Sequence, residues 1–395
     1  MKRLLLASLL ALSGLPVRAG TWQDTVAAAR GQTVYFNAWG GDERTNGFIV
    51  WADQQLSAAY GVHVQQVKLA DTAEAVTRVL AEKAAGKATG GSVDLIWING
   101  ANFQSMKEQQ LLYGPFVADL PNVRYLDLAP GAPATTDFTI PTGGYEAPWR
   151  LARFVMTYDS ARVDDPPRTM TALADWARAH PGRFTHPAVA NFMGATFLKQ
   201  ALIELAPDPA VLQQPATDAA FAEATAPLWA WYDRLRPNLW RGGTAFPENE
   251  SVQQQMLSDG DVDFTMAFDP AAAAAAVEKG LLPDTVRSYA PQAGSIGNVS
   301  FVAIPFNAAH KEGAMVVANF LLDPATQARA QDIRVLGSYS VLDPARLDQS
   351  QRAVFDALPG SAALPKAADL GPVLAEPHPS WMVRLVAEWA RRYTK

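Results

Sequence analysis

Short apolar runs alternate with segments of helical periodicity along most of this 395-residue chain. Residues 33–36, 63–69 and 93–98 are such runs, and helical patterns over residues 48–60 and 73–85 separate them. The run at 93–98 (VDLIWI) contains one charged residue among apolar ones, which is typical of a strand covered on both faces. Strands of this kind that alternate with helices predict an α/β fold with a mostly parallel sheet.

A second unit of the same kind follows a stretch rich in Pro and Gly at residues 115–144. We predict that residues 151–158 form a strand that crosses between the two units, and that residues 299–304 form the strand that returns. The other predicted elements are helices at 173–179, 195–205, 221–235, 251–257, 271–279 and 313–322, a strand at 262–268, and a last helix from Trp381. Asp269 followed by Pro270 is a typical start of a helix.

The chain length is consistent with this division, since domains of roughly 150 residues are common. We expect a first lobe at residues 20–147 plus about 299–330. The second lobe would then comprise residues 148–298 plus about 331–395. With 49% hydrophobic residues, each lobe can bury a core of its own.

The first residues have the pattern of an export signal. Met1, Lys2 and Arg3 are followed by an apolar stretch at residues 4–12, and Val17-Arg18-Ala19 places small residues where a signal peptidase cuts. The apolar stretch is shorter than the roughly 20 residues that span a membrane. We therefore predict a signal peptide at residues 1–19. A secreted chain without Cys suggests the bacterial periplasm.

Several function classes lack the residues that they require. The net charge of −6 argues against a nucleic-acid partner, which needs a basic face. The absence of Cys excludes thiol catalysis and Cys-ligated metals, and the five His residues lack metal-ligand spacing. No G-x-S-x-G motif is present. We therefore expect neither an enzyme, a metal site nor a cofactor.

Polar and aromatic residues follow the predicted strands, where ligands of open α/β sheets bind. Trp39-Gly40-Gly41 follows the first strand, Asn99 to Asn102 follow the third, and Asp269 follows the strand at 262–268. Glycine lets backbone approach a ligand, and Trp39 could stack on a ring or a cation. Other roles remain open, because Trp39 could be a core residue, Asp269 a helix cap and the two asparagines parts of a turn.

In its architecture the chain resembles the two-lobed, hinged solute-binding proteins of ABC importers, which have the type II periplasmic-binding fold. The resemblance extends over essentially the whole chain after residue 19. It is carried by FVAIP at 301–305, by Gly313-Ala314 with ANFLLDP at 318–324, and by MLSDGDVD at 256–263. The phrases at 35–41 and 245–251 are similar to the YnjB-type binding proteins, which are related to the thiamine, polyamine and iron-binding groups.

This resemblance implies a small-molecule solute held between the lobes and delivered to an inner-membrane ABC permease with its ATPase, by a monomer. It implies contacts from loops of both lobes and from the returning strand. The ligand-binding residues expected in this way are Trp39, Gly40, Asn99, Asn102, Asn191, Gly194, Asp269, Asn298 and Ser300.

Differences between this sequence and the iron- and polyamine-binding groups narrow the class of ligand that we expect. Iron-binding relatives use adjacent tyrosines, and this chain has no Tyr-Tyr pair. Polyamine binders carry an aromatic residue and an acid where Asn298 and Ser300 stand. We therefore expect a thiamine-like heterocycle or another organic cation. The alternative is a secreted hydrolase, such as a glycosidase that uses a pair of cleft carboxylates.

Overall fold

The computed structural model describes residues 21–365 and 367–394, so the predicted signal peptide lies outside the described residues. The strands are β1 (Thr33–Trp39), β2 (His63–Leu69), β3 (Leu95–Ile98), β4 (Thr136–Asp137), β5 (Ile140–Pro141), β6 (Glu146–Arg153), β7 (Val155–Asp159), β8 (Phe264–Ala267), β9 (Val286–Tyr289), β10 (Ser295–Ala303) and β11 (Val373–Leu374). The helices are α1 (Trp22–Ala29), α2 (Glu43–Tyr60), α3 (Ala73–Ala84), α4 (Ala101–Glu108), α5 (Met170–Ala179), α6 (Phe192–Leu205), α7 (Asp218–Leu235), α8 (Glu250–Asp259), α9 (Ala272–Glu278), α10 (Lys311–Leu321), α11 (Pro324–Gln331), α12 (Gln349–Asp356) and α13 (Pro379–Tyr393).

The sheet of the first lobe has the order β11-β10-β3-β1-β2, and β6 also pairs with β10. β1 runs parallel to β2 and β3, whereas β10 runs antiparallel to β3 and β6. Leu95 of β3 packs into the core on one side of this sheet, while Ile96 and Ile98 pack into the core on the other. The apolar run at 93–98 is therefore covered on both faces, as its composition predicts.

The second lobe is built on the three-stranded sheet β8-β7-β9. Its core contains Phe197 of α6, Trp231 and Tyr232 of α7, and Trp381 of α13. Both pairs of strands in this sheet are antiparallel, so the expectation of a mostly parallel sheet in each lobe is wrong for this one. Strand direction was not predictable here, because a strand buried on both faces is equally apolar in either orientation.

The connection between the lobes is formed by β6 and β10. They pair from Glu146 opposite Ala303 to Arg153 opposite Gly297, with a shift in register after Ser300. Only Phe154 separates β6 of the first sheet from β7 of the second. The predicted crossing strand at 151–158 is thus the end of one strand and most of another.

Most predicted elements occur within a few residues of their expected bounds. Gly61 ends α2 with a φ of 65°, in the left-handed region that glycine adopts readily.

β1 continues to Trp39, which therefore belongs to the strand and not to the loop after it. Asp269 does not cap α9 directly, since the residue before that helix is Ala271, which makes no side-chain cap. Among the described residues, no helix has both the length and the apolar character of a membrane span.

Close packing at the start of α6 leads to a test of stability. A Cβ atom at Gly194 would overlap the carbonyl oxygens of Pro187 and Ala188. We expect Gly194→Ala to lower the free energy of unfolding by about 1–3 kcal/mol, because backbone must move to make room. Urea unfolding of the purified protein measures this change.

Gly47 provides the matched control, because it lies inside α2 with no atom within 4 Å of the added Cβ. Gly47→Ala should raise the free energy of unfolding by about 0.5–1 kcal/mol through its higher helix propensity. Equal unfolding midpoints for the two variants would contradict the packing argument.

Candidate functional site

The carboxyl ends of β1 and β8 and the amino ends of α2 and α8 bring charged side chains together between the lobes. We call this set the cleft ion network. It comprises Asp42 and Arg44 at the start of α2, Arg150 of β6, Glu250 at the start of α8, and Asp269 after β8. Both lobes thus contribute to one group of interacting charges.

Arg150 makes side-chain contacts with residues of both lobes. Its Nη2 lies 3.2 Å from Oδ2 of Asp269, and its other nitrogens donate to the hydroxyls of Ser338 (2.9 Å) and Thr45 (3.4 Å). The guanidinium carbon lies 5.3 Å from the centre of the Trp97 ring. This buried cation therefore has a counter-ion and further hydrogen bonds, which a charge out of water requires.

Asp42 and Arg44 form a local unit at the start of α2. The Asp42 carboxylate accepts from the backbone N–H groups of Arg44 and Thr45 as the N-cap, and from Nε of Arg44 at 3.1 Å. Burial opposes ionisation of Asp42, but the Arg44 charge and the Thr45 hydroxyl outweigh burial and lower its pKa. Asp42 is therefore ionised at neutral pH.

The carboxyl groups of Asp269 and Glu250 lie on the other side of the cleft. Burial raises the pKa of Asp269, although Arg150 and Arg44 act in the opposite direction. Burial and the Asp42 charge raise the pKa of Glu250 to about 7, again against both arginines. Glu250 is half-buried, and it makes no hydrogen bond or ion pair with a described residue.

A second group, the hinge cluster, lies along the returning strand β10. Nζ of Lys199 is 2.6 Å from Oε2 of Glu376, and each side chain is 1% exposed. Asn298 donates to the other Glu376 oxygen at 3.0 Å, and Asn99 donates to the carbonyl of Val299 at 2.6 Å. The cluster thus joins the loop after β3, the crossing strand and α6.

Asp137 extends the hinge cluster into the first lobe. Its carboxyl group accepts from the N–H of Gly100 at 2.6 Å and lies 3.4 Å from Nδ2 of Asn99. Burial raises the pKa of Asp137 to about 8, so this carboxyl is largely protonated at neutral pH. A neutral Asp137 is compatible with the burial of a second carboxylate, Glu376, close by.

Aromatic rings from both lobes surround Lys199. Its Nζ lies 4.9 Å from the ring centre of Phe138 in the first lobe and 5.4 Å from that of Phe192 in the second. Phe192 also contacts Phe268 edge-to-face, with ring centres 5.3 Å apart. Phe192 is 42% exposed, so it leaves an aromatic surface open at the start of α6.

The structure brings together some of the predicted site residues. Asn99 and Asn298 belong to the hinge cluster, and Asp269 belongs to the cleft ion network. Ser300 is buried opposite Arg150 in the β6–β10 ladder. Asn102 is half-buried in the first turn of α4.

The remaining predicted residues have local roles in the backbone. Trp39 is half-buried, and its indole ring covers Gly41. Gly40 accepts a hydrogen bond from Asn46 at 3.0 Å. Asn191 caps α6 by accepting from the N–H of Met193, and Gly194 packs on the preceding loop.

Sequence reasoning missed the charged residues that hold the two clusters together. Lys199 could have been suspected, since it is a lone cation in an apolar helical segment. Glu376 gave no such signal, because it lies in the polar tail between β11 and α13. Glu250 and Arg44 look like ordinary first-turn residues of helices until the two lobes are placed together.

The described part of the chain offers no group of three or more His, Asp or Glu side chains that could hold a metal ion. The site is instead composed of ion pairs, amides and aromatic rings. Ligand clefts are lined mostly by apolar and aromatic side chains, and a few polar groups such as these orient the ligand.

Comparisons with known proteins identify the family of the chain. Residues 51–350 match the family of bacterial extracellular solute-binding proteins. Protein YnjB of Escherichia coli (strain K12) is 43% identical over 388 residues, which cover 98% of each chain.

Two solved structures show the same fold at low sequence identity. A periplasmic thiamin binding protein is 15% identical with a TM-score of 0.63, over 92% of this chain and 96% of its own. The periplasmic binding protein AfuA from Actinobacillus pleuropneumoniae, with fructose-6-phosphate bound, is 12% identical with a TM-score of 0.63, over 92% and 99%. These structures confirm the predicted type II fold, and their different ligands leave the solute of this chain open.

The buried pair of the hinge cluster leads to a second test. Glu376→Gln leaves the Lys199 charge buried without a counter-ion, so we expect the free energy of unfolding to fall by about 3–5 kcal/mol. Asp175→Asn is the control, because it removes one partner of the exposed Arg178–Asp175 pair and should change the free energy by less than about 1 kcal/mol. Similar small losses in urea unfolding of both variants would contradict this assignment.

Proposed function

The chain belongs to the family of bacterial extracellular solute-binding proteins, and we propose that it captures a small organic solute between its lobes for an inner-membrane ABC permease. The observation that carries this proposal is the cleft ion network, in which Asp42, Arg44 and Arg150 of the first lobe meet Glu250 and Asp269 of the second. A ligand at this position would contact both lobes at once.

The protein is a binding protein and not an enzyme, since its family and its structural neighbours are solute-binding proteins. The alternative of a secreted hydrolase is therefore wrong. The carboxylates of the cleft have a different explanation, because Asp42 and Asp269 are hydrogen-bonded to arginines.

A thiamine-like heterocycle or another organic cation is the proposed solute class. Two features support this choice. The exposed ring of Phe192 offers a surface on which a planar or cationic group can stack. The network contains three carboxyl groups and two guanidinium groups, so its charge balance favours a positive solute.

The periplasm is the proposed location of the mature chain. The signal-peptide pattern at residues 1–19 supports it, with Gly20 as the expected first residue after cleavage. The family description as extracellular proteins is consistent with export.

Two connecting strands allow hinge closure of the lobes around a bound solute. A solute that contacts both lobes stabilises the closed form by its difference in affinity for the two forms. The radius of gyration measured by small-angle X-ray scattering should therefore fall when a bound solute is present.

A binding screen tests the proposed function. The purified protein is titrated calorimetrically with thiamine, choline, spermidine, glucose and fructose 6-phosphate, and solutes that co-purify with it are identified by mass spectrometry. We expect thiamine or choline to bind, and scattering to show closure. A protein that neither binds any of these solutes nor carries one from the cell would contradict the proposal.

Trp39→Ala tests whether the indole ring contributes to the solute site. A ring that stacks on the solute should contribute about 1–2 kcal/mol, so its loss should weaken binding by about 5- to 30-fold with little change in stability. Trp231→Ala is the control, because Trp231 is fully buried and its removal should cost about 3–5 kcal/mol of stability. A large stability loss with unchanged affinity would identify Trp39 as a core residue.

A further inference from the structure

The geometry points to Glu250 as the carboxylate that pairs with the positively charged group of the solute, an inference that rests on the proposed solute-binding function. The residue begins α8 in the second lobe, at the side of the cleft that faces Asp42 and Arg44 of the first. No sequence signal marked it, and its role follows from the juxtaposition of the lobes.

Glu250 differs from the other carboxyl groups of the cleft ion network, because none of the described residues is its hydrogen-bond partner. Asp42 accepts from two backbone N–H groups and from Arg44, and Asp269 accepts from Arg150 and from the N–H of Ala271. The Glu250 carboxylate is half-buried, and no described residue donates a hydrogen bond to it. It is therefore available to a solute without the loss of an existing bond.

The two arginines already have carboxylate partners, so Asp42 and Asp269 balance their charges before a solute binds. Arg150 donates to Ser338, Thr45 and Asp269, and Arg44 donates to Asp42 and to the carbonyl of Leu336. An anionic solute would compete with Asp42 and Asp269 for arginines whose charges these carboxylates already balance. A cationic solute only adds a bond.

The charge of the network leads to the same conclusion. Two guanidinium groups balance Asp42 and Asp269, so ionised Glu250 is the surplus negative charge. A partly buried charge without a counter-ion is unfavourable, and a cation brought in by the solute removes that cost. The solute cation is therefore the missing member of the network.

This role makes binding depend on pH. Burial and Asp42 raise the pKa of Glu250 to about 7, with Asp269 acting in the same direction and Arg44 and Arg150 in the opposite one. A solute with a permanent positive charge binds the ionised form, which increases as the pH rises. Its affinity should therefore increase about 10-fold between pH 6 and pH 8.

The experiment compares Glu250→Gln with Glu248→Gln in the full-length mature protein. Glu248 is an exposed carboxylate two residues away, so its variant removes the same charge outside the network. Thiamine, whose thiazolium ring is permanently charged, is titrated by calorimetry at pH 6, 7 and 8, with choline as a second cation. Fructose 6-phosphate is the anionic probe.

We expect Glu250→Gln to weaken thiamine or choline binding at pH 8 by about 10- to 100-fold and to remove the pH dependence. Glu248→Gln should behave as the wild-type protein does. Circular dichroism and urea unfolding of both variants establish that each is folded before it is titrated.

The outcomes separate this inference from the proposed function. Cation binding that is equal in the Glu250→Gln variant and in the wild-type protein overturns the role of Glu250 and leaves the proposed function intact. If the wild-type protein binds glucose or fructose 6-phosphate but neither cation, the role of Glu250 is likewise overturned, and solute binding itself is retained. Failure of the wild-type protein to bind any of the probes, together with no co-purified solute, overturns both.

Discussion

The antiparallel ladder between β6 and β10 is the constraint on which the rest of the structure depends. It belongs to the first sheet, and after Phe154 the same chain continues as β7, the central strand of the second sheet. Pairing along Glu146–Arg153 places Arg150 opposite Ser300, at the boundary of the two lobes. A cation at this place must find its partners in both lobes, and it does so in Thr45 and Asp269.

Two buried cations therefore organise the interior of the molecule between its lobes. Lys199 is neutralised by Glu376, which the C-terminal segment supplies, and Arg150 is neutralised by Asp269. A buried charge is tolerated only with a close counter-ion and further hydrogen bonds, so each pair restricts how the surrounding segments can be placed. The hinge cluster joins segments far apart in the sequence. The cleft ion network joins the lobes, and within the described part of the chain Glu250 has no hydrogen-bond partner.

Local sequence patterns predicted most helices and strands, because the formation of these elements depends largely on residues that are neighbours in the sequence. The helix that ends at Gly61, the strand at residues 63–69 and the buried strand near residues 93–98 follow from periodicity, a helix stop and apolar content. The same patterns ended the first strand at Phe36, whereas β1 continues to Trp39. Residues 37–39 pair with β2, and their sequence has no strand pattern that would predict this pairing. The local patterns also predicted parallel strands in the second sheet, where both pairs are antiparallel, because strand direction depends on how the chain enters the sheet.

By itself, the sequence determined the α/β class, the order of its elements and the two strands that cross between the lobes. Each of these depends on local periodicity or on a resemblance spread over the whole chain. Only the tertiary structure decided which charges meet. Asp42 and Glu250 are more than 200 residues apart in the sequence, and neither carries a local sign of its partners. Ionisation, burial and pairing depend on distance in space, and the chain sets that distance only when both lobes and the strands between them have folded.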